Sequence, residues 1–208
     1  MALLPLMTGS KILVSGPSGA GKSEFVYRVI NHSANLFNTP VKEIYFFYSI
    51  HQQGFSAYGD QVTFIEGLPS LDFLQNLSES SHKLVIIDDQ QIEACNSSII
   101  ADIFTKYSHH RNISVILVLQ NLFHQGKHSR DISLNTNYFV LFKNPRDINQ
   151  IKVLGNQLGL GKGLETVYKE VTKQPYSYLL IDLTPSVEFN HMLRSDIFPN
   201  QHTTLYTI

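Results

Sequence analysis

The feature that most constrains the fold is a glycine-rich run between an apolar stretch and an amphipathic one. The run, Gly-Pro-Ser-Gly-Ala-Gly-Lys-Ser, directly follows the strand-like residues 11–15. After it, apolar side chains recur at the spacing of a helix, from Phe25 to Ile30. A strand, a tight loop and a helix in this order form one unit of an α/β fold. The loop residues are Gly16, Pro17, Ser18, Gly19, Ala20, Gly21, Lys22 and Ser23.

This run has the pattern of a phosphate-binding loop, and each fixed residue type has a physical reason. Glycine gives the backbone conformations closed to other residues, so that consecutive N–H groups converge on one phosphate. We predict that Lys22 contacts the β and γ oxygens of a nucleoside triphosphate and that the Ser23 hydroxyl binds Mg²⁺. The helix N-terminus adds the positive end of its dipole. The alternative is a glycine-rich turn without a ligand, but the strand–loop–helix context favours nucleotide binding.

Composition limits the class of protein. The chain has 208 residues, of which 43% are hydrophobic and 16% charged, enough for one globular α/β domain. Its net charge of −1 gives no general attraction to a polyanion, so contact with nucleic acid requires a local patch or a ring of subunits. The single cysteine, Cys95, forbids an internal disulfide. Because neither a membrane span nor a signal peptide is evident, we expect an intracellular protein.

Strands and helices alternate along the chain. Strands are predicted at 11–15, 41–49, 62–65, 83–88, 113–119, 138–142 and 178–183, and helices at 22–36, 70–77, 97–109, 147–158 and 164–172. Apolar strands with helices between them predict an α/β fold with a mostly parallel central sheet. We expect one domain over 1–208, with a lead-in segment at 1–10, a long exposed loop at 51–60 and a candidate C-terminal arm at 184–208.

A pair of acidic residues ends the apolar run 84–87. At the carboxyl end of a buried strand, Asp88 is predicted to hold Mg²⁺ next to Ser23. Asp89 is predicted to polarise the attacking water as a general base. The alternative is a strand-to-helix turn, in which aspartate is common. Together with the phosphate loop, the two acids favour a nucleoside triphosphate hydrolase over a simple switch.

Further candidates lie in the second half of the chain. Gln120 ends the strand 113–119 and is a candidate sensor of the γ-phosphate, or else a polar residue that merely ends a strand. An ATPase that works as an oligomer often completes its site with an arginine from a neighbour. Arg130 is the first candidate, Arg146 the second, and Arg111 a third; a surface or structural role is the alternative for each.

Four segments together resemble a known family. They are the phosphate loop, Leu-Val-Ile-Ile-Asp-Asp-Gln at 84–90, the segment 107–123 from Tyr-Ser-His-His-Arg to Gln-Asn-Leu-Phe, and the segment 129–147 that ends in Asn-Pro-Arg-Asp. These are similar to the genome-packaging ATPases of double-stranded DNA viruses and Maverick/Polinton transposons, within the FtsK/HerA superfamily. The first two motifs are common to many P-loop proteins. The last two are more particular and carry the resemblance.

The resemblance implies a RecA-like P-loop core that assembles into a pentameric or hexameric ring. Such a ring hydrolyses ATP with Mg²⁺ and drives double-stranded DNA into a preformed capsid, which implies contact with DNA and with the capsid vertex. It implies a virus-associated protein in the nucleus or cytoplasm of an infected host. Carried over, Lys22 and Ser23 bind phosphate and metal, Asp88 and Asp89 serve the metal and the water, and Gln120 senses the γ-phosphate.

Other hypotheses stay open. A small-molecule or nucleoside kinase shares the phosphate loop, but the sequence has no evident arginine-rich lid. A nucleotide-dependent assembly factor would bind ATP with little turnover. A zinc site is disfavoured because the histidines, such as His124 and His128, lack a cysteine or carboxylate cluster beside them. Loop 51–60, with Phe55 and Tyr58, and the basic cluster 127–130 are candidate DNA contacts, with surface solvation as the alternative.

Overall fold

One sheet of nine strands organises residues 4–208, which the computed structural model describes. Its order is β3-β2-β4-β5-β1-β6-β7-β8-β9, so the strand before the glycine-rich run lies at the centre. Strands β1 to β6 run parallel to one another, while β7, β8 and β9 each pair antiparallel with the preceding strand. The strands are β1 (Lys11–Ser15), β2 (Glu43–Tyr48), β3 (Thr63–Glu66), β4 (Lys83–Ile87), β5 (Ile113–Leu119), β6 (Tyr138–Phe142), β7 (Tyr178–Asp182), β8 (Leu193–Ser195) and β9 (Thr204–Tyr206). The predicted α/β fold with a mostly parallel sheet is confirmed.

The helices are short and connect the strands. They are α1 (Lys22–Asn31), α2 (Ser33–Leu36), α3 (Leu71–Asn76), α4 (Gln91–Asn96), α5 (Ser98–Asp102), α6 (Ser108–His110), α7 (Ser129–Leu134), α8 (Ile148–Gln157) and α9 (Gly161–Val171). A π-helical turn, Ile103–Tyr107, joins α5 to α6. The Ser70 hydroxyl caps α3 by accepting the N–H of Phe73, as its sequence position predicts. Among these helices none is both long and apolar enough to cross a membrane.

The core lies on both faces of the sheet. Every residue of β4, β5, β6 and β7 is buried, which is the pattern of strands covered on two sides. Side chains of β1 alternate between two hydrophobic clusters, with Leu13 in one and Ile12 and Val14 in the other. Helix α1 covers the second face, and α5 and α7 to α9 cover the first.

The strand order places the predicted motifs side by side. Strand β5 pairs with β1 on one side and with β4 on the other, so that Leu119 lies opposite Ser15 and Leu117 lies opposite Ile87. Parallel strands end at the same edge of a sheet. The phosphate loop, Gln120 and the acidic pair therefore follow three adjacent strands at one edge.

The segment predicted as an exposed loop at 51–60 is largely a 3₁₀ helix, Gln53–Gln61, with a kink at Gly59. Phe55 is buried there and stacks on Phe64, with ring centroids 4.2 Å apart. Tyr58 stacks on Tyr27 of α1 at 5.2 Å. Because aromatic stacking anchors the segment to the sheet, Phe55 is not available for the predicted contact with DNA.

The segment predicted as an arm at 184–208 adds β8 and β9 to the sheet. Between them, Ile197 and Phe198 are buried, and the guanidinium of Arg28 in α1 lies 4.0 Å above the Phe198 ring. At the other terminus, Leu6 of the lead-in segment is buried and its N–H donates to Leu36. Residues 1–3 of that lead-in lie outside the described residues.

A buried ion pair fastens this C-terminal segment to the sheet. The Arg194 guanidinium donates to Asp182 Oδ2 at 2.9 Å, and the two side chains are 2% and 6% exposed. We expect Arg194→Met to lower the free energy of unfolding by about 3–5 kcal/mol, because it leaves the Asp182 carboxylate buried without its cation. Urea denaturation followed by circular dichroism measures this.

The matched control is Lys106→Ala, which breaks an exposed pair with Asp102 and should cost less than about 1 kcal/mol. Adding Asp182→Asn to Arg194→Met should recover part of the loss, since no buried charge then remains and the amide oxygen still accepts from Thr184. An Arg194→Met protein as stable as the wild type would contradict this account.

Candidate active site

A cavity of about 630 Å³ opens at the edge where the parallel strands end. That volume suits a nucleotide-sized ligand. The cavity is lined by Ser18, Gly19, Gly21, Lys22, Ser23, Glu24, Gln52, Asp88, Asp89, Gln91, Val118, Leu119, Gln120 and Tyr176. The structure thus brings together, in one cavity, the predicted phosphate loop, both acids and Gln120.

The phosphate loop needs its glycines for two different reasons. Gly19 and Gly21 have φ values of 76° and 108°, in the left-handed region that residues with a Cβ rarely adopt. At Gly16 the constraint is space, because a Cβ there would lie 2.7 Å from the Cβ of Phe142 at the end of β6. The loop is therefore pressed against the sheet, and α1 begins directly after Gly21 with its N-terminus at the cavity.

The Lys22 ammonium lies inside the curve of the loop. Its Nζ donates to the carbonyl oxygens of Gly16 at 2.6 Å and Pro17 at 2.9 Å. Burial lowers the pKa of Lys22, whereas the charges of Asp88 and Asp89 raise it. Two neutral carbonyls hold this cation, so phosphate oxygens, which carry formal charge, would be stronger acceptors for it.

The two aspartates that follow β4 differ in environment. Asp88 is buried, and its N–H donates to the carbonyl of Phe47 in β2. Burial raises the pKa of Asp88 and the charge of Asp89 raises it further, while Lys22 lowers it. Asp89 is exposed at the cavity and has a φ of 54°. This left-handed residue follows the strand directly, and of the two carboxylates that line the cavity the first is buried and the second is exposed.

Gln120 is exposed at the end of β5, and its position is fixed through its backbone. The N–H groups of Gln120 and Asn121 both donate to Oε1 of Gln91, the second of them at 3.2 Å. The Gln91 amide is in turn within 2.7 Å of His124 Nδ1. Gln91 opens α4 three residues after Asp88, so it ties the acidic pair to the strand that carries Gln120.

The three candidate arginines lie in different places. Arg111 precedes β5 at the opposite edge of the sheet, where its guanidinium donates to the carbonyls of Gln75 and Leu77. These contacts lie far along β5 from the cavity of its own subunit, and action of Arg111 on a neighbouring subunit stays a prediction. Within residues 4–208, the lining of the cavity contains no arginine.

Arg130 and Arg146 are both exposed. Arg130 is in α7 and lines a second, mostly apolar cavity of about 470 Å³. Arg146 is in the turn after β6, where Nδ2 of Asn144 donates to Asp147 at 2.9 Å. The segment Asn-Pro-Arg-Asp therefore forms a closed turn that presents its arginine to solvent. Action of either arginine on a neighbouring subunit stays a prediction.

Histidines do not gather into a metal site in the part of the chain that the structure describes. His124 lies before α7 and contacts Gln91, while His128 lies directly before α7 and approaches Asp131 at 3.8 Å. The two histidines therefore do not share a helix face.

Several lining residues were not predicted from the sequence: Glu24, Gln52, Gln91 and Tyr176. Glu24 follows the motif directly and could have been included on that ground. Gln91 had only a weak signal, its place close after the acidic pair, because the helix that it opens was not predicted. Gln52 and Tyr176 had none, because long-range packing brings them to the cavity.

Sheet order, phosphate loop and acidic strand end together define a RecA-like P-loop NTPase fold. Among solved structures, the genome packaging NTPase B204 from Sulfolobus turreted icosahedral virus 2, in complex with sulfate, is similar over 95% of this chain and 96% of its own, with 12% identity and a TM-score of 0.55. Its complex with ATP-gammaS has 13% identity and a TM-score of 0.53 over 95% and 96%.

The DNA-packaging ATPase B204 from Sulfolobus Turreted Icosahedral Virus is similar over 96% of this chain and 98% of its own, with 13% identity and a TM-score of 0.55. Models of protein families and curated protein sequences give no match to the chain. The resemblance to viral genome-packaging ATPases predicted from sequence motifs is thus confirmed as a likeness of fold that extends over nearly the whole chain.

Proposed function

We propose that this chain is an ATPase that drives double-stranded viral DNA into a preformed capsid, working as a ring of identical subunits. The observation that carries the proposal is the gathering of Lys22, Asp88, Asp89 and Gln120 around one cavity beside the phosphate loop. Residues 1–208 form the ATPase domain in this proposal. The protein acts inside the infected host cell, in association with the virus.

Mg²⁺ is the metal that this cavity fits. The Ser23 hydroxyl and the Asp88 carboxylate line the same cavity, and both supply the oxygen ligands that Mg²⁺ prefers. The buried Asp88 also gains from a cation, since burial alone disfavours its charged form. Held by Ser23 and Asp88, Mg²⁺ would supply positive charge against the negative charge of the triphosphate.

The chain's own groups divide the work of hydrolysis. Lys22 exchanges the carbonyls of the loop for β and γ phosphate oxygens and stabilises the charge that develops on them. Asp89 accepts a proton from water as the water oxygen attacks the γ phosphorus. The bond from that phosphorus to the bridging oxygen breaks, and ADP leaves with the electron pair. Gln120 orients the water or the γ phosphate by hydrogen bonding.

Ring assembly and DNA contact rest on the likeness of fold to B204 and on exposed basic residues. B204, a genome packaging NTPase with solved complexes of sulfate and ATP-gammaS, has the same fold as this chain. Lys127 and Arg130 are exposed in the segment between β5 and β6. In this proposal their positive charges contact DNA phosphates. In a ring, Arg130 or Arg146 reaches the γ phosphate of the adjacent subunit.

We expect double-stranded DNA to accelerate phosphate release from Mg-ATP severalfold, and added salt to remove the acceleration, because backbone contacts release counterions. A coupled phosphate assay with and without double-stranded DNA measures this. The Lys22→Ala protein is the control for contaminating ATPase activity, and single-stranded DNA is the control for nonspecific polyanion effects.

The other functions give different results in the same assay. A kinase would transfer phosphate to a small acceptor such as a nucleoside and would ignore DNA. A nucleotide-dependent assembly factor would bind ATP with little turnover under any condition. Either outcome would sink the translocase proposal.

A further inference from the structure

Tyr176 lies beside the phosphate loop in a conformation unusual for its type. Its φ is 65°, in the left-handed region where bulky residues are rare, and 72% of the residue is exposed. Pro175 precedes it, and both the N–H and the hydroxyl of Ser177 donate to the carbonyl of Gln174. Proline followed by a residue with positive φ is the pattern of a type II turn, which ordinarily has glycine at the second of these positions.

The turn places Tyr176 in contact with the loop. Strand β7 is antiparallel to β6, and Tyr178 lies opposite Phe142, so the start of β7 is at the edge where β6 ends. A Cβ added to Gly21 would lie 3.3 Å from both Cβ and Cδ1 of Tyr176. The tyrosine is therefore held against the residue that immediately precedes Lys22, at the mouth of the cavity.

The strand order gives the direction in which a nucleotide lies. Asp88, Asp89 and Gln120 follow β4 and β5, on one side of β1, and these residues surround the γ phosphate in the proposed mechanism. The nucleoside is at the other end of the triphosphate and so extends toward β6 and β7. Tyr176 lies on that side, as the one aromatic residue among those that line the cavity in the described part of the chain.

We propose that the base of the nucleotide stacks on the Tyr176 ring, and that the strained turn holds the ring in place before the nucleotide binds. The inference rests on the proposed binding of a nucleoside triphosphate at the phosphate loop. The ligand class is a purine nucleoside triphosphate, because a fused ring system offers the larger face to stack. A strained residue that glycine would relieve is typical of functional sites.

The test compares ligands with and without a base. Titration calorimetry gives Kd for Mg-ATP, Mg-CTP and magnesium tripolyphosphate with the wild type, Tyr176→Phe and Tyr176→Gly. We expect Tyr176→Gly to weaken ATP binding roughly tenfold, to weaken CTP binding less, and to leave tripolyphosphate within about twofold. Tyr176→Phe keeps the ring and should bind all three as the wild type does.

Tyr176→Gly also relaxes the left-handed turn, so the fold is retained and the missing ring is the change that matters. Unchanged ATP affinity in Tyr176→Gly would overturn the inference, and so would equal losses for ATP and tripolyphosphate, which indicate a distorted loop. A wild type that binds neither ATP nor tripolyphosphate would refute the proposed function itself. Tight tripolyphosphate binding with no preference for a base would refute only the role of Tyr176.

Discussion

Lys22→Ala should weaken ATP binding and lower the rate of phosphate release by roughly 100-fold or more, the loss expected for one preorganised charged donor. In the structure the ammonium is already inside the loop, held by the carbonyls of Gly16 and Pro17. Among the residues that line the cavity in the described part of the chain, Lys22 is the one lysine or arginine, and Asp88 and Asp89 lie in the same lining. The measurements are Kd for ATP by calorimetry and phosphate release at saturating ATP.

The matched control is Lys169→Ala, which removes an exposed lysine from α9 that pairs with Glu165. Both ATP affinity and hydrolysis should be unchanged in it. Thermal unfolding should be similar in the two variants, since the loop carbonyls that Lys22 releases are at the cavity and can bind water. If Lys22→Ala bound and hydrolysed ATP normally, the glycine-rich run would be only a turn.

The local pattern of apolar residues was enough to predict most strands of the sheet. Strands β1, β5 and β6 have the predicted bounds, because each is a run of apolar residues covered on both faces. The predicted helix at 22–36 is broken at His32 into α1 and α2, and the helix at 97–109 contains a π-helical turn. Such details depend on packing rather than on periodicity.

Very short strands and helices, and residues with a strained backbone, could not be predicted from the sequence. Strands β8 and β9 have three residues each, too few to show alternation, and the Arg194 ion pair that secures β8 requires a partner 12 residues away. The position of Asp89 in the cavity lining depends on its positive φ, and nothing in the local sequence predicts a positive φ at that residue. Helix α4 was missed for a similar reason, since its six residues span less than two turns.

The candidate site, like the fold, could be predicted from the sequence only in part. The phosphate loop and the acids were predicted, because a single segment of chain supplies each motif. Gln91 was not, since its role depends on β5 lying beside β4, so that one side-chain oxygen accepts from Gln120 and Asn121. Sequence motifs thus supply the residues that we propose contact phosphate, and the order of the strands supplies Gln91, which holds the backbone of Gln120 in position.

Asp89→Asn should separate binding from chemistry. We expect ATP to bind within about twofold of the wild type and phosphate release to fall by roughly 10²- to 10⁴-fold, the usual effect of losing a general base. Asparagine has the shape of aspartate and tolerates a positive φ at least as well, so the abrupt end of β4 should persist. What the substitution removes is the ability to accept the proton of the attacking water.

Single-turnover phosphate release from bound ATP, with ATP occupancy measured separately, isolates this step from product release. The matched control is Asp60→Asn, an exposed acid in the 3₁₀ segment, which should hydrolyse ATP as the wild type does. A fully active Asp89→Asn would refute its role as the base. In that case Gln120 would position a water that attacks without an enzymatic base. Such a mechanism is expected where the transition state is loose, because positioning then supplies most of the rate enhancement.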